Sequence, residues 1–165
     1  MPEETLTQEE VSQTKVKAGK YLTFTLQNEE YGFEILKVKE IIGIMNITHV
    51  PQTPPFVKGV INLRGKVIPV IDLRLKFGLE EAEYTSETCI IVVDIKNTLI
   101  GIIVDSVSEV LDTTEKDLEP PPDFGASVDT SYILALAKGK GKVKILLDID
   151  KVLTDKEMDF VAGTN

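Results

Sequence analysis

Phe56-Val57-Lys58-Gly59-Val60-Ile61-Asn62-Leu63-Arg64-Gly65-Lys66-Val67-Ile68-Pro69-Val70-Ile71-Asp72-Leu73 reads as two apolar strands joined at Asn62-Leu63-Arg64-Gly65. Val60, Ile61, Val67, Ile68, Val70 and Ile71 are β-branched and suit a pleated, half-buried surface. Gly65 can take the positive φ of a tight turn. Pro69 has no N–H for a ladder, so its strand is expected at a sheet edge or a bulge. Arg64 is the long cation at the tip. It is either a solvated turn residue or a contact for a carboxylate or helix end on a partner.

Outward from this hairpin the chain continues as short strands. Tyr21-Leu22-Thr23-Phe24-Thr25-Leu26 puts Leu22, Phe24 and Leu26 on one face and the two threonines on the other, the period of a half-buried strand. Gln27 to Glu30 is the turn and Tyr31 to Ile35 the returning strand. Ile35, Val38, Ile41 and Ile42 fit a helical turn or a strand interrupted by a bend, and the short β-branched run favours the bend. Ile47 to Val50 reads as a further strand, followed by an extended segment through Pro51, Pro54 and Pro55. The central hairpin ends near Phe77-Gly78. Residues 1–19 are polar and acidic and read as a disordered arm. Lys151 to Val161 carries the pattern of a short terminal helix, and the last residues, Ala162 to Asn165, are expected to fray.

The second half repeats the plan. A gapless shift of 69 positions lays Tyr21–Ile42 on Ile90–Leu111, matching Asn28 with Asn97, Gly32 with Gly101, Val38 with Val107 and Glu40 with Glu109. A shift of 76 lays Gly65-Lys66-Val67 on Gly141-Lys142-Val143 and Asp72 on Asp148. The seven extra residues fall in the loop from Pro120 to Tyr132. Apolar alternation alone recurs in any β protein, but Gly, Glu and Pro also match in register, which argues for duplication. Many short strands with turn signals between them indicate barrels, in an all-β chain.

Composition narrows the function classes. A length of 165 residues fits one compact unit or two small ones sharing a core. The net charge of −9 argues against phosphate-backbone binding and against an anionic membrane surface. The single cysteine, Cys89, begins an apolar run and is expected to be a buried small hydrophobe. No apolar leader or membrane-length run is present, so the expected location is cytoplasmic. The single histidine, His49, has no partner at metal-ligand spacing. Gly139-Lys140-Gly141-Lys142 lacks the Ser or Thr and the spacing of a phosphate loop and reads as a hairpin turn. Asp72, Asp94, Asp105, Asp148 and Asp150 are single acids at strand ends, without the pairing that glycoside hydrolysis or calcium binding requires. These readings point to a binding module, not an enzyme, with no cofactor and no metal.

The run Val-Lys-Gly-Val-Ile-Asn-Leu-Arg-Gly followed by Val-Ile-Pro-Val-Ile-Asp-Leu resembles the signature of the CheW family of bacterial chemotaxis coupling proteins. So do Tyr31 to Ile41, Gly101 to Leu111 and Leu146 to Ile149. The resemblance spans roughly residues 20–153, with a longer N-terminal arm and a Pro120-Pro121-Pro122 loop that the minimal pattern lacks. It implies two pseudo-symmetric five-stranded SH3-like or OB-like β-barrels with exchanged strands and a short C-terminal helix. The repeat halves would be roughly 20–83 and 84–153, with 154–165 as terminal helix and tail. It further implies a non-catalytic adaptor linking the cytoplasmic tip of methyl-accepting chemoreceptors to the regulatory domain of the histidine kinase CheA. The family's receptor-contact and coupling positions fall on Val38, Glu40, Gly59, Asn62, Arg64, Gly101, Val107 and Val110. Glu40 and Arg64 would be polar specificity residues, and the valines either groove walls or core. The glycines would allow close backbone approach or serve conformation alone. The rivals are a CheW-like scaffold in another pathway, a fragment of a CheV-like adaptor or of the kinase, a small enzyme, and an OB-like nucleic-acid binder. Acidic charge and few aromatic residues for base stacking weigh against the last.

Overall fold

In the computed structural model, which describes residues 18–125 and 130–162, eleven strands form. They are β1 (Gly19–Leu26), β2 (Glu29–Glu34), β3 (Val38–Gly43), β4 (Val57–Leu63), β5 (Lys66–Asp72), β6 (Cys89–Ile95), β7 (Thr98–Val104), β8 (Ser106–Thr113), β9 (Leu118–Glu119), β10 (Ile133–Gly139) and β11 (Lys142–Leu147). Among the described residues there are three α-helices, α1 (Leu73–Lys76), α2 (Ile149–Val152) and α3 (Asp155–Ala162), and two 3-10 turns, Ile35–Lys37 and Glu115–Asp117. The expected arm lies outside the described residues up to position 17, as do residues 126–129 of the long loop and the end of the tail.

Four two-residue turns build the hairpins. Their central pairs all have positive φ: Gln27 and Asn28 (47° and 72°), Arg64 and Gly65 (52° and 89°), Lys96 and Asn97 (51° and 70°), Lys140 and Gly141 (47° and 79°). This is the turn whose twist matches two antiparallel strands. Asn or Gly fills the second position each time, where the left-handed backbone costs them least.

The strands assemble into two sheets. Sheet A runs β8-β1-β2-β11-β10-β9 and sheet B runs β3-β6-β7-β5-β4. Each therefore draws strands from both halves of the sequence. The 69- and 76-residue shifts reproduce the ladders pair for pair. Leu22↔Phe33 in β1–β2 becomes Ile91↔Ile102 in β6–β7, and Leu22↔Val110 becomes Ile91↔Ile41. The parallel pair Leu146↔Gly32 matches Val70↔Gly101. Even the register breaks correspond, Ile133/Ala135 with Val57/Gly59. β9 is a sixth strand beyond the five expected. Its place in sheet B is taken by the isolated bridge Thr48↔Val60, so the expected strand over 47–50 is reduced to one bridge.

Each sheet curls around a small interior, and the two barrels pack against each other over a larger core. Tyr21, Leu118, Ala135, Ala137 and Leu146 fill barrel A, while Ile61, Ile68, Val70, Ile90, Val92 and Ile103 fill barrel B. Leu22, Phe24, Leu26 and Phe33 of sheet A meet Ile91, Val93, Ile95, Ile100 and Ile102 of sheet B in the shared core, which α2 and α3 complete with Ile149, Val152, Met158 and Val161. β1 is thus buried on both faces, not half-buried as its alternation suggests. Thr23 is fully buried, and its hydroxyl donates to the Glu109 carbonyl at 2.9 Å, satisfying the register break against β8.

Pro69 lies in an interior strand, not at the edge, one of its two expected places, and next to a bulge, the register break that sets Val57 against Ile71 and Gly59 against Val70. The parallel ladder of β5 with β7 begins only at Val70, so at Pro69 the strand is paired with β4 alone and the missing N–H breaks nothing. Ile35–Lys37 is a single 3-10 helical turn and Val38–Gly43 is strand β3, so the run is a helical turn at its start and extended after it, and each of the two readings holds in part. Helix α1 was not legible; Asp72, buried at its N-cap, accepts from the Arg74 N–H at 2.9 Å. The terminal helix is two helices, broken at Leu153–Thr154.

Where β2 crosses from sheet A to β3, and where β7 crosses from sheet B to β8, an ion pair pins the crossover. At the second, Arg74 of α1 holds Asp105 through Nε–Oδ1 at 2.8 Å and Nη2–Oδ2 at 2.7 Å. Asp105 also accepts from the Gln27 N–H at 2.8 Å. At the first, Lys37 contacts Asp150 of α2 at 3.0 Å.

Two predictions follow from these contacts. A Cβ at buried Gly101 would lie 2.8 Å from Ile90 Cγ2 and 3.3 Å from Val70 Cγ2, whereas one at Gly43 meets nothing within 4 Å. Gly101→Ala is expected to cost about 1–3 kcal/mol in urea unfolding, and Gly43→Ala close to nothing; equal midpoints would contradict the packing. Burial raises the Asp105 carboxyl, but the Arg74 guanidinium and the Gln27 amide outweigh it and hold it below the usual aspartate range. Its stabilisation is therefore complete above about pH 4, the unfolded value, and is lost as pH falls through the depressed folded value. Asp105→Asn should flatten the acid limb of a stability–pH curve, and an unchanged limb would contradict the assignment.

Candidate functional site

The β4–β5 hairpin tip carries Arg64 outward from a left-handed turn position, with the Asn62 Oδ1 accepting from the Gly65 N–H at 2.8 Å. Asn62 is exposed, and its side chain fixes the turn that presents Arg64. Glu40 lies on β3, at the opposite edge of sheet B. The two meet as a fork: Arg64 Nη1 donates to Glu40 Oε2 at 3.0 Å and Nη2 to Oε1 at 2.5 Å. The hydrogen bonds and charge of Arg64 hold the Glu40 carboxyl below its ordinary range. The Arg64 side chain remains 70% exposed. A surface pair of this kind contributes little to stability and leaves both groups open to exchange partners.

The remaining predicted site residues divide. Gly59 is buried at φ +141°, and a Cβ there would collide with the Thr48 carbonyl oxygen, so glycine is what lets barrel B close at the Thr48↔Val60 bridge. Gly101 is buried too and shapes the β7 backbone against Ile90 and Val70. Both can influence a partner only through the backbone they shape. Val38 and Val107, equivalent under the 69-residue shift, are half-buried and pack against the shared core. Val110 is 51% exposed on β8, on the other barrel from the Glu40–Arg64 pair.

The structure adds residues that the sequence reading did not single out. Ile41 and Val67 are exposed on barrel B, and the shifts map them onto Val110 and Val143, also exposed, on barrel A. Each barrel thus exposes one apolar residue on an edge strand and one on an interior strand, at equivalent positions of the repeat. The signal was present in the repeat, since Ile41 was already matched with Val110 and Val67 with Val143. The surroundings differ: barrel B has the Glu40–Arg64 fork, while barrel A has Lys144 between Glu30 at 2.6 Å and Glu109 at 3.4 Å.

Groups that could carry chemistry are dispersed. His49 is exposed on the segment bridging β4. Cys89 is half-buried at the start of β6, not fully buried as expected, and its thiol donates to the Glu87 carbonyl at 3.3 Å. Among the described residues, no three His, Cys, Asp or Glu side chains are grouped to hold a metal ion, and no helix is long and apolar enough to cross a membrane.

Comparison with known proteins agrees with this architecture. Residues 20–157 match the family model of the CheW-like domain. The chain is 44% identical over 141 residues to a chemotaxis protein CheW of Klebsiella aerogenes, covering 86% of this chain and 85% of that protein. It is 37% identical over 145 residues to a chemotaxis protein CheW of Bacillus subtilis, covering 87% and 92%. The crystal structure of the scaffolding protein TtCheW from Thermoanaerobacter tengcongensis superposes with a TM-score of 0.77 at 38% identity, covering 86% of this chain and 98% of that one. Two equivalent barrels built from exchanged strands, with matching registers and a family match over nearly all of the described residues, place the chain in the CheW family of chemotaxis scaffold proteins.

Proposed function

We propose that this chain is a non-catalytic adaptor in the cytoplasm that couples the tip of a methyl-accepting chemoreceptor to the regulatory domain of the histidine kinase CheA. The observation that carries this reading is the pair of equivalent barrels built from exchanged strands. Each barrel exposes an apolar residue at an equivalent position of the repeat, Val67 on one and Val143 on the other, and the charged groups of the two barrels differ. One barrel suits the kinase's regulatory domain and the other a further copy of that domain, so the chain joins kinases into one assembly.

The groove between the barrels takes the helical hairpin of the receptor tip, in the manner of a helix laid into an apolar groove. Glu40 and Arg64 select the receptor by exchanging their mutual hydrogen bonds for groups on the partner. Asn62 holds the turn that presents Arg64, Val110 contributes apolar contact, and Val38 and Val107 support the groove wall from below. Gly59 and Gly101 keep the backbone where these side chains need it. Coupling is then thermodynamic: receptor state shifts the kinase equilibrium through interfaces that share one scaffold.

Calorimetric titration of the chain against a receptor-tip fragment, and separately against a CheA regulatory domain, tests this reading. Binding to both is expected. Arg64→Glu, which places two carboxylates together at the surface, should weaken the receptor complex by about tenfold or more. Its thermal midpoint should stay close to that of the unaltered protein, because the pair is exposed. Binding to neither fragment would overturn the adaptor reading, and loss of folding in Arg64→Glu would make Arg64 structural.

A further inference from the structure

The two crossovers between the barrels occupy equivalent places in the repeat, yet they are built differently. The 69-residue shift lays Leu36 on Asp105, and the 76-residue shift lays Arg74 on Asp150. At the β7–β8 crossover the carboxylate stands on the crossing strand and the cation on the helix. At the β2–β3 crossover the polarity is reversed, with Asp150 on the helix and Lys37 on the crossing turn.

The contacts differ in number and kind. Asp105 takes a two-point contact from Arg74, whose side chain is only 16% exposed, and a third hydrogen bond from the Gln27 N–H. Its own N–H donates to the Thr25 carbonyl at 3.1 Å, and the neighbouring Ser106 hydroxyl meets that of Thr25 at 2.7 Å. Arg74 in turn donates through Nη1 to the Glu80 carbonyl at 2.9 Å. One carboxylate therefore ties the β1–β2 hairpin of barrel A to helix α1 of barrel B. A planar guanidinium fork fixes orientation as well as distance. The other crossover has a single ammonium contact of 3.0 Å, and the second oxygen of Asp150 is buried with no hydrogen-bond partner among the described residues. Leu36, in the place of Asp105, is 87% exposed. An ammonium on a flexible stem fixes distance but not direction.

We infer that Asp105 and Arg74 are positioning residues that set the placement of one barrel relative to the other, while the Lys37–Asp150 crossover is the yielding side about which that placement can change. On the adaptor reading, on which this consequence rests, the clamp transmits occupancy of one partner surface to the other. Neither residue needs to touch a partner.

Pulsed electron–electron distance measurement tests the clamp without any partner. Labels are attached at Lys140→Cys on barrel A and Lys66→Cys on barrel B, in a chain carrying Cys89→Ala. The unaltered clamp should give one narrow distance distribution. Arg74→Gln should broaden it, Asp105→Asn should broaden it less because the amide still accepts from Gln27, and Lys37→Gln should leave it narrow. Equal widths in all four proteins would overturn the inference, as would broadening in Lys37→Gln alone. Binding supplies the second readout. Arg74→Gln should leave the affinity for each partner alone within about twofold, yet reduce by about tenfold the effect of one partner on affinity for the other. Equal losses in both single affinities would make the pair merely structural. Should the unaltered chain bind neither partner, the adaptor reading falls and the distance widths still decide the clamp.

Discussion

The structure depends on four backbone ladders that cross between the halves of the sequence. β1 pairs with β8, β2 with β11, β3 with β6, and β5 with β7. Remove either half and one sheet loses its central hairpin while the other keeps only its own, leaving rows of unpaired N–H and C=O groups that would have to find water or aggregate. The β1–β2 and β6–β7 hairpins sit in the middle of their sheets and carry side chains into both a barrel interior and the shared core. Neither barrel can form around its own half alone, so the core between the barrels is as much a folding requirement as the interiors within them.

That arrangement has a consequence for an adaptor. Duplication supplies two barrels of one plan, and divergence gives them different surface charge. Barrel B carries an exposed Arg–Glu fork at its hairpin tip; barrel A carries a lysine between two glutamates. Exchange of strands keeps the two barrels on one body, so on the adaptor reading proposed above a partner held at one is at a defined place relative to a partner at the other. An adaptor made of two independent domains on a linker would raise local concentration but would transmit no orientation. The contrast between the forked guanidinium clamp at one crossover and the single ammonium contact at the other divides stiff from yielding within that body.

Much of the fold was legible because a strand's register is written in its alternation. Shifting the sequence by 69 and 76 residues predicts not only equivalent strands but equivalent ladder pairs, down to the bulges. What escaped was information that no local pattern holds. Pro69 suggested an edge or a bulge, and the sequence says neither which of the two holds nor that the parallel ladder of β5 starts one residue later. Thr23 and Thr25 suggested a solvent face, because a strand buried between a barrel interior and a second barrel still alternates. Asp105 looked like any single acid at a strand end; its meaning comes from Arg74, 31 residues earlier, which the crossover brings to it. Of the candidate site, resemblance named Glu40 and Arg64 singly, but their meeting across the curled sheet was not legible. The burial of Gly59 and Gly101 became evident only when the atoms around them were placed.

Native-state hydrogen exchange under low concentrations of urea tests the central claim, that the two barrels are one cooperative unit, most directly. Amides of β1, β2, β6 and β7 report on both sheets at once, and those of β4 and β10 report on one barrel each. The account predicts that all of them converge on a single opening free energy with the same urea dependence. A lower, separate free energy for the whole of one sheet, with the other still protected, would contradict it and make the barrels two independently folding domains.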